Sequence, residues 1–162
     1  MDDIKTGTIS ITGLSDLEKR LLDFPDKIAR NILARALSKG AAVIRDEARQ
    51  IAPKDTGEMA LDIMIKKARM ERGSTLLTFH VFVRTGKKSR LAGKKRNVQR
   101  DSFYWRFVEF GHMTRQGKDT VGPPRFVAAR PFMRPAFETM KEQAVEAIRL
   151  SLAENIDKEA AK

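Results

Sequence analysis

With 162 residues, 41% of them apolar and 33% charged, the chain has the length and make-up of one soluble globular domain. It contains no cysteine, which excludes disulfides, zinc–thiolate centres and cysteine nucleophiles. The net charge of +11 is concentrated: residues 84–100 hold eight cations and no acid, and without them the chain carries +3.

The first residues lack the basic and apolar regions of a signal peptide, and no apolar run approaches the length of a membrane span. Neither secretion nor membrane insertion is expected. Thr8-Ile9-Ser10-Ile11-Thr12 alternates apolar and polar residues and stops at Gly13, the pattern of a short strand. Residues 14–22 follow as a short helix with Ser15 as N-cap and Glu18 closing a capping box. Residues 26–51 carry the strongest helical period, bounded by Pro25 and Pro53. Ile28, Ile32, Ala36, Gly40, Ala48 and Ile51 fall on the apolar face, and Arg49 falls with the polar one. Gly40 at mid-helix costs about 1 kcal/mol relative to Ala, which predicts close approach by another element.

Beyond a turn at residues 53–57, Leu61, Ile63 and Ile65 alternate with polar or softer residues, as do Leu77, Phe79, Val81 and Val83. Joined across Gly73, these two runs predict an antiparallel hairpin. Residues 84–101 are polar and basic, the composition of a mobile loop. The composition then reverses, and eight of the eleven aromatic residues lie between Phe103 and Phe137. Pro135 suits the first turn of a last helix, along which Phe137, Met140, Ala144, Ile148, Leu152 and Ile156 recur. Residues 157–162 are expected to fray. The whole chain reads as a single α+β domain, residues 1–162, with two long amphipathic helices covering one face of a small antiparallel sheet and a long basic loop after the hairpin.

Chemistry-bearing motifs are sparse. Asp55-Thr56-Gly57 has the residues of an aspartic-protease turn, but it follows a helix end and a proline rather than an apolar strand. A turn with Gly57 at positive φ is the better reading. His80 and His112 are the only histidines and lie far from each other in sequence, which is poor metal-ligand spacing. Phosphate-binding glycine loops and nucleophile elbows are absent from the sequence, so neither a cofactor nor a catalytic residue is assigned. Glu109, inside the aromatic run, is expected to form a structural ion pair with Arg130 or Arg134. The basic loop (Arg84, Lys87, Lys88, Arg90, Lys94, Lys95, Arg96 and Arg100) suits an acidic protein partner, a nucleic-acid backbone, or plain solvation. It has no aromatic for base stacking.

Four segments in order carry a family resemblance: Ala36-Leu37-Ser38-Lys39-Gly40-Ala41 running on through Val43-Ile44-Arg45; Ala52-Pro53-Lys54-Asp55-Thr56-Gly57; Tyr104-Trp105-Arg106-Phe107-Val108-Glu109-Phe110-Gly111; and Ala129-Arg130-Pro131-Phe132-Met133-Arg134-Pro135-Ala136. Together they resemble the tail-completion, or head–tail joining, proteins of long-tailed lambda-like phages, the functional class of the lambda minor tail protein Z. Met59 stands near where that family has a leucine, and residues 84–100 are longer and more charged than its pattern.

The resemblance implies a non-enzymatic virion protein assembled in the host cytoplasm. It would sit at the neck as a homohexameric ring, touching the tail terminator, the tail tube and head-connector proteins near the DNA. A tail terminator or another minor tail component is the alternative, and a sequence-independent nucleic-acid-binding protein a second. Phe103, Tyr104, Trp105 and Phe126 are the candidate ring-interface residues, because aromatics dominate interface hot spots. Phe107, Val108, Phe110, Phe132 and Phe137 are assigned to the core, with Trp105 and Phe126 nearer the surface.

Overall fold

The computed structural model describes residues 14–54, 57–69, 76–85, 102–114 and 123–161. The expected strand at residues 8–12, Asp55 and Thr56, the hairpin turn at Gly73, and every basic-loop residue except Arg84 lie outside these.

Helix α1 (Leu14–Leu22) is followed by the long helix α2 (Asp26–Ile51) and a single turn of helix α3 (Glu58–Asp62). The hairpin β1 (Ile63–Lys67) and β2 (Phe79–Val83) comes next. A 3-10 turn (Ser102–Tyr104) then leads into helix α4 (Trp105–Phe110). Two-residue strands β3 (His112–Met113) and β4 (Phe126–Val127) precede the last helix α5 (Met133–Ala160). The α+β class follows directly: α2 and α5 cross as an antiparallel pair over a small antiparallel sheet.

Pro25 and Pro53 bound α2, since each excludes the helical geometry or hydrogen bond that would extend it. Gly40 lies where α5 comes closest. A methyl group there would stand 2.5 Å from Ile148 Cγ1 and 2.8 Å from the Ala144 carbonyl oxygen. The expected close approach is the α2–α5 crossing. Gly57 has φ of 75° and turns the chain into α3, as a glycine at that position should.

The core falls into two clusters along the α2–α5 pair. At one end α1 lays Leu17 against Ile32, Ala36, Leu152 and Ile156. At the other, Ala48 of α2 with Ala52 just past its end, and Ala136 of α5 with Phe132 just before its start, enclose Ile63 and Val83 of the hairpin and Met59 of α3. The Arg49 guanidinium, expected on the polar face, turns toward the sheet and donates to the Ile63 carbonyl at 2.7 and 3.1 Å. This fixes the start of β1 against the end of α2.

Several sequence expectations need correction. Ser15 lies inside the first turn of α1, which starts at Leu14, and does not cap it. Leu61 belongs to α3 rather than to the strand, because Asp62 is drawn inward by polar partners. The frayed end does not begin at residue 157: α5 runs through Ala160. Lys158 pairs with Glu154 within that helix, and Asp157 pairs with Arg20 of α1.

Candidate interaction surface

Four of the six residues of α4 are large and apolar, and they fall on more than one face of the helix. The domain covers only half of it. Tyr104, Trp105 and Val108 pack against the sheet-end core. Phe103, Phe107 and Phe110, at i, i+4 and i+7 spacing, form a stripe facing outward. Phe103 is 60% and Phe110 72% exposed. The assignment of Phe107 and Phe110 to the core is therefore wrong, and so is that of Phe137, which is 53% exposed on α5. Apolar character cannot say which side of a helix the domain covers. Phe132 is fully buried, as expected.

Glu109 holds this helix in place. Its Oε2 accepts hydrogen bonds from the Phe132 and Met133 amides (2.8 and 3.1 Å), and its Oε1 accepts one from the Arg134 amide (3.1 Å). These are unsatisfied amides of the α5 N-terminus, and a buried carboxylate suits the positive end of the helix dipole. The predicted ion pair with Arg130 or Arg134 is not formed. The Arg134 guanidinium pairs with Glu138 at 2.9 Å, and Arg130 donates its backbone amide to the Val108 carbonyl at 2.7 Å.

Gly111 ends α4 at φ of 72°. A side chain there would press on the Val127 carbonyl oxygen at 2.8 Å. The resulting turn brings β3 alongside β4, with His112 opposite Val127 and Met113 opposite Phe126. Phe126 is 67% exposed, and Met113 and Val127 are exposed beside it. The His112 ring lies 5.1 Å from that of Phe107, which makes His112 part of the aromatic ledge. His80 is on β2, in a different part of the fold. Among the described residues no group of three His, Asp or Glu side chains is gathered as a metal would need.

Of the four interface candidates, Phe103 and Phe126 stand on the surface. Tyr104 and Trp105 are half-buried, and the Arg106 guanidinium lies 5.5 Å from the centre of the Trp105 ring. Arg84, counted with the basic loop, is instead drawn inward. It donates to Asp62 Oδ1 at 2.8 Å, while the Ser102 hydroxyl donates to Asp62 Oδ2 at 2.6 Å. This buried cluster ties α3, β2 and the entry to α4 together. Its one trace in the sequence is an aspartate set inside the run Leu61-Asp62-Ile63.

A family model described as "Bacteriophage HK97-gp10, putative tail-component" matches residues 15–111, from the first turn of α1 to the glycine that closes α4. The chain belongs to this HK97-gp10-like family. No curated protein and no solved structure matches it. As an HK97-gp10-like tail component it is a structural part of a phage virion. The matched span includes three of the four recognised segments; Ala129 to Ala136 lies beyond it. That span contains both the Glu109 anchor and the outward aromatic stripe.

Proposed function

We propose that this tail component works at the neck of the virion, completing the tail and joining it to the head as one subunit of a closed ring, six copies by the family resemblance. The observation that carries the reading is the split of α4: one face in the core, the other presenting Phe103, Phe107 and Phe110 next to Phe126. An exposed apolar ledge of this kind marks an interaction surface. In a ring each subunit offers one patch to one neighbour and a different patch to the next, so the contact is heterologous and closes by rotation.

The tail terminator, tail tube and head-connector proteins are the neighbours above and below. The seven cations of residues 87–100 face an acidic partner or the DNA backbone, where they speed docking and set register more than they add affinity.

Trp105 is a poor probe because its substitution would also disturb the core. The pair Phe110→Ser and Phe126→Ser removes exposed apolar surface instead. Supplied to a phage lacking this protein, the variant should fold, by circular dichroism, yet leave heads and tails unjoined. Normal yields of joined virions would refute the interface. Neutralising Lys94, Lys95 and Arg96 distinguishes the basic partners. A flattened dependence of DNA binding on salt indicates backbone contact, and unchanged binding removes that reading.

A further inference from the structure

An exposed ledge needs a surface to receive it, and the same domain carries one elsewhere. A groove of about 440 Å³ opens between α2, α5 and β2. Leu37 and Ile44 of α2 and Val145 and Ile148 of α5 wall it, and Phe79 of β2 and Phe137 of α5 add aromatic rings. Phe137 is half-exposed among these apolar neighbours, so the groove is open rather than filled. An apolar cavity of about 150 Å³ holds one benzene ring, so this groove has room for about two or three.

Three observations say what fills it. The first is size. Phe103, Phe107, Phe110 and Phe126 together leave about 500 Å² exposed, taking about 200 Å² for a whole phenylalanine. Met113 and Val127 extend this toward the roughly 800 Å² that each partner contributes to a stable contact. The stripe from Phe103 to Phe110 is about 11 Å long, and the groove runs about 22 Å along α5 from Met133 to Ile148. The second is reach. None of the ledge phenylalanines lines the groove of its own chain. Glu109 fixes α4 to the start of α5, and Tyr104, Trp105 and Val108 hold its inner side in the core, so the stripe cannot swing across. The third is charge. Among the described residues from 102 to 132 the cations Arg106, Arg125 and Arg130 are exposed, and the one acid, Glu109, is buried. Two ledges meeting face to face would set like charges against each other. Beside the groove, α5 places Glu138 and Glu142 one residue beyond Phe137 and Lys141.

We infer that the aromatic ledge of one copy docks in the groove of the next, with Phe107 and Phe110 entering beside Phe79 and Phe137. The inference rests on the ring reading and supplies its two surfaces. A projection and a receiving groove on different parts of one subunit make a head-to-tail contact, which repeats until rotation closes it. The phenylalanines on both sides can meet edge-on or offset, the arrangements aromatic rings prefer.

Because the chain has no cysteine, a pair of introduced thiols has no competing partner within it. Phe110→Cys and Lys141→Cys are combined in the full chain and supplied to a phage lacking this protein, and the particles are oxidised gently. Denaturing gels without reductant should show a ladder of linked chains, whereas an equal mixture of the two single variants should stop at linked pairs. A homodimer formed by Phe110→Cys alone as the main product would mean that ledge meets ledge, and overturns the inference. So does the absence of a ladder from joined particles. Should the cysteine pair itself block joining, Ala41→Trp fills the groove from its α2 wall and leaves the ledge intact. Folded by circular dichroism, it should lose joined virions as completely as the variant carrying Phe110→Ser and Phe126→Ser. Normal joining with Ala41→Trp, beside failure of the ledge variant, overturns the docking and leaves the ring standing. Normal joining with both overturns the ring reading as well.

Discussion

Replacing Glu109 by Ala removes the acceptor for three amides at the start of α5. Phe132 is fully buried and Met133 half-buried, so water cannot fully replace the lost oxygen at either amide. A hydrogen bond to a charged acceptor contributes about 1.5–3 kcal/mol, and the more exposed Arg134 amide recovers part of its loss in water. The expected destabilisation is about 3–5 kcal/mol, a large share of a domain's typical stability. Glu109→Gln should cost less, about 1–2 kcal/mol, because one oxygen can still serve Phe132 and Met133 while the new amide group opposes the Arg134 donor. Urea unfolding followed by circular dichroism measures both, with the slope of the transition unchanged if only the native state is affected. Arg134→Ala and Arg130→Ala should leave the midpoint where it is. If either arginine variant were as destabilising as Glu109→Ala, the carboxylate would be held by a guanidinium and the capping argument would fail.

Three further outcomes follow from the packing. Gly40→Ala gains about 1 kcal/mol of helix propensity but must push Ile148 and the α5 backbone aside, at about 1–3 kcal/mol of overpacking, so the net thermal midpoint should fall. A rise would mean that the helices separate freely. Asp62→Ala strands Arg84 and Ser102 and should cost about 3–5 kcal/mol, read by chemical denaturation; a change below about 1 kcal/mol would rule out the buried pair as a structural tie. Hydrogen bonding to Arg45, Arg149 and Lys158 holds Asp46, Glu146 and Glu154 below the usual carboxylate range. The unfolded chain then binds more protons than the folded one in that range, so their contribution is present above it and is lost as pH falls through the lowered values. The decline in thermal midpoint on acidification should shrink in high salt, because all three pairs are at the surface.

The long helices and the hairpin were legible in the sequence because each is a local periodicity closed by a proline or glycine. Gly40 and Gly57 were legible too, since a glycine at mid-helix or just after a proline stop costs stability unless the backbone there needs its freedom or its small size. A phage tail family could be read from short segments, three of which lie inside the matched span, for the same reason: they sit at turns and crossings where only certain residues fit. The partner of Glu109 could not be read, because a buried carboxylate is equally satisfied by a guanidinium or by helix amides, and only the approach of α5 to α4 decides between them. Nor could the outward turn of Phe103, Phe107 and Phe110, since a helix apolar on both faces has no preferred inner side until its neighbours are in place. Sequence settles what each segment can form by itself. Which groups are left facing outward depends on the sum of all contacts, and no single segment contains that sum.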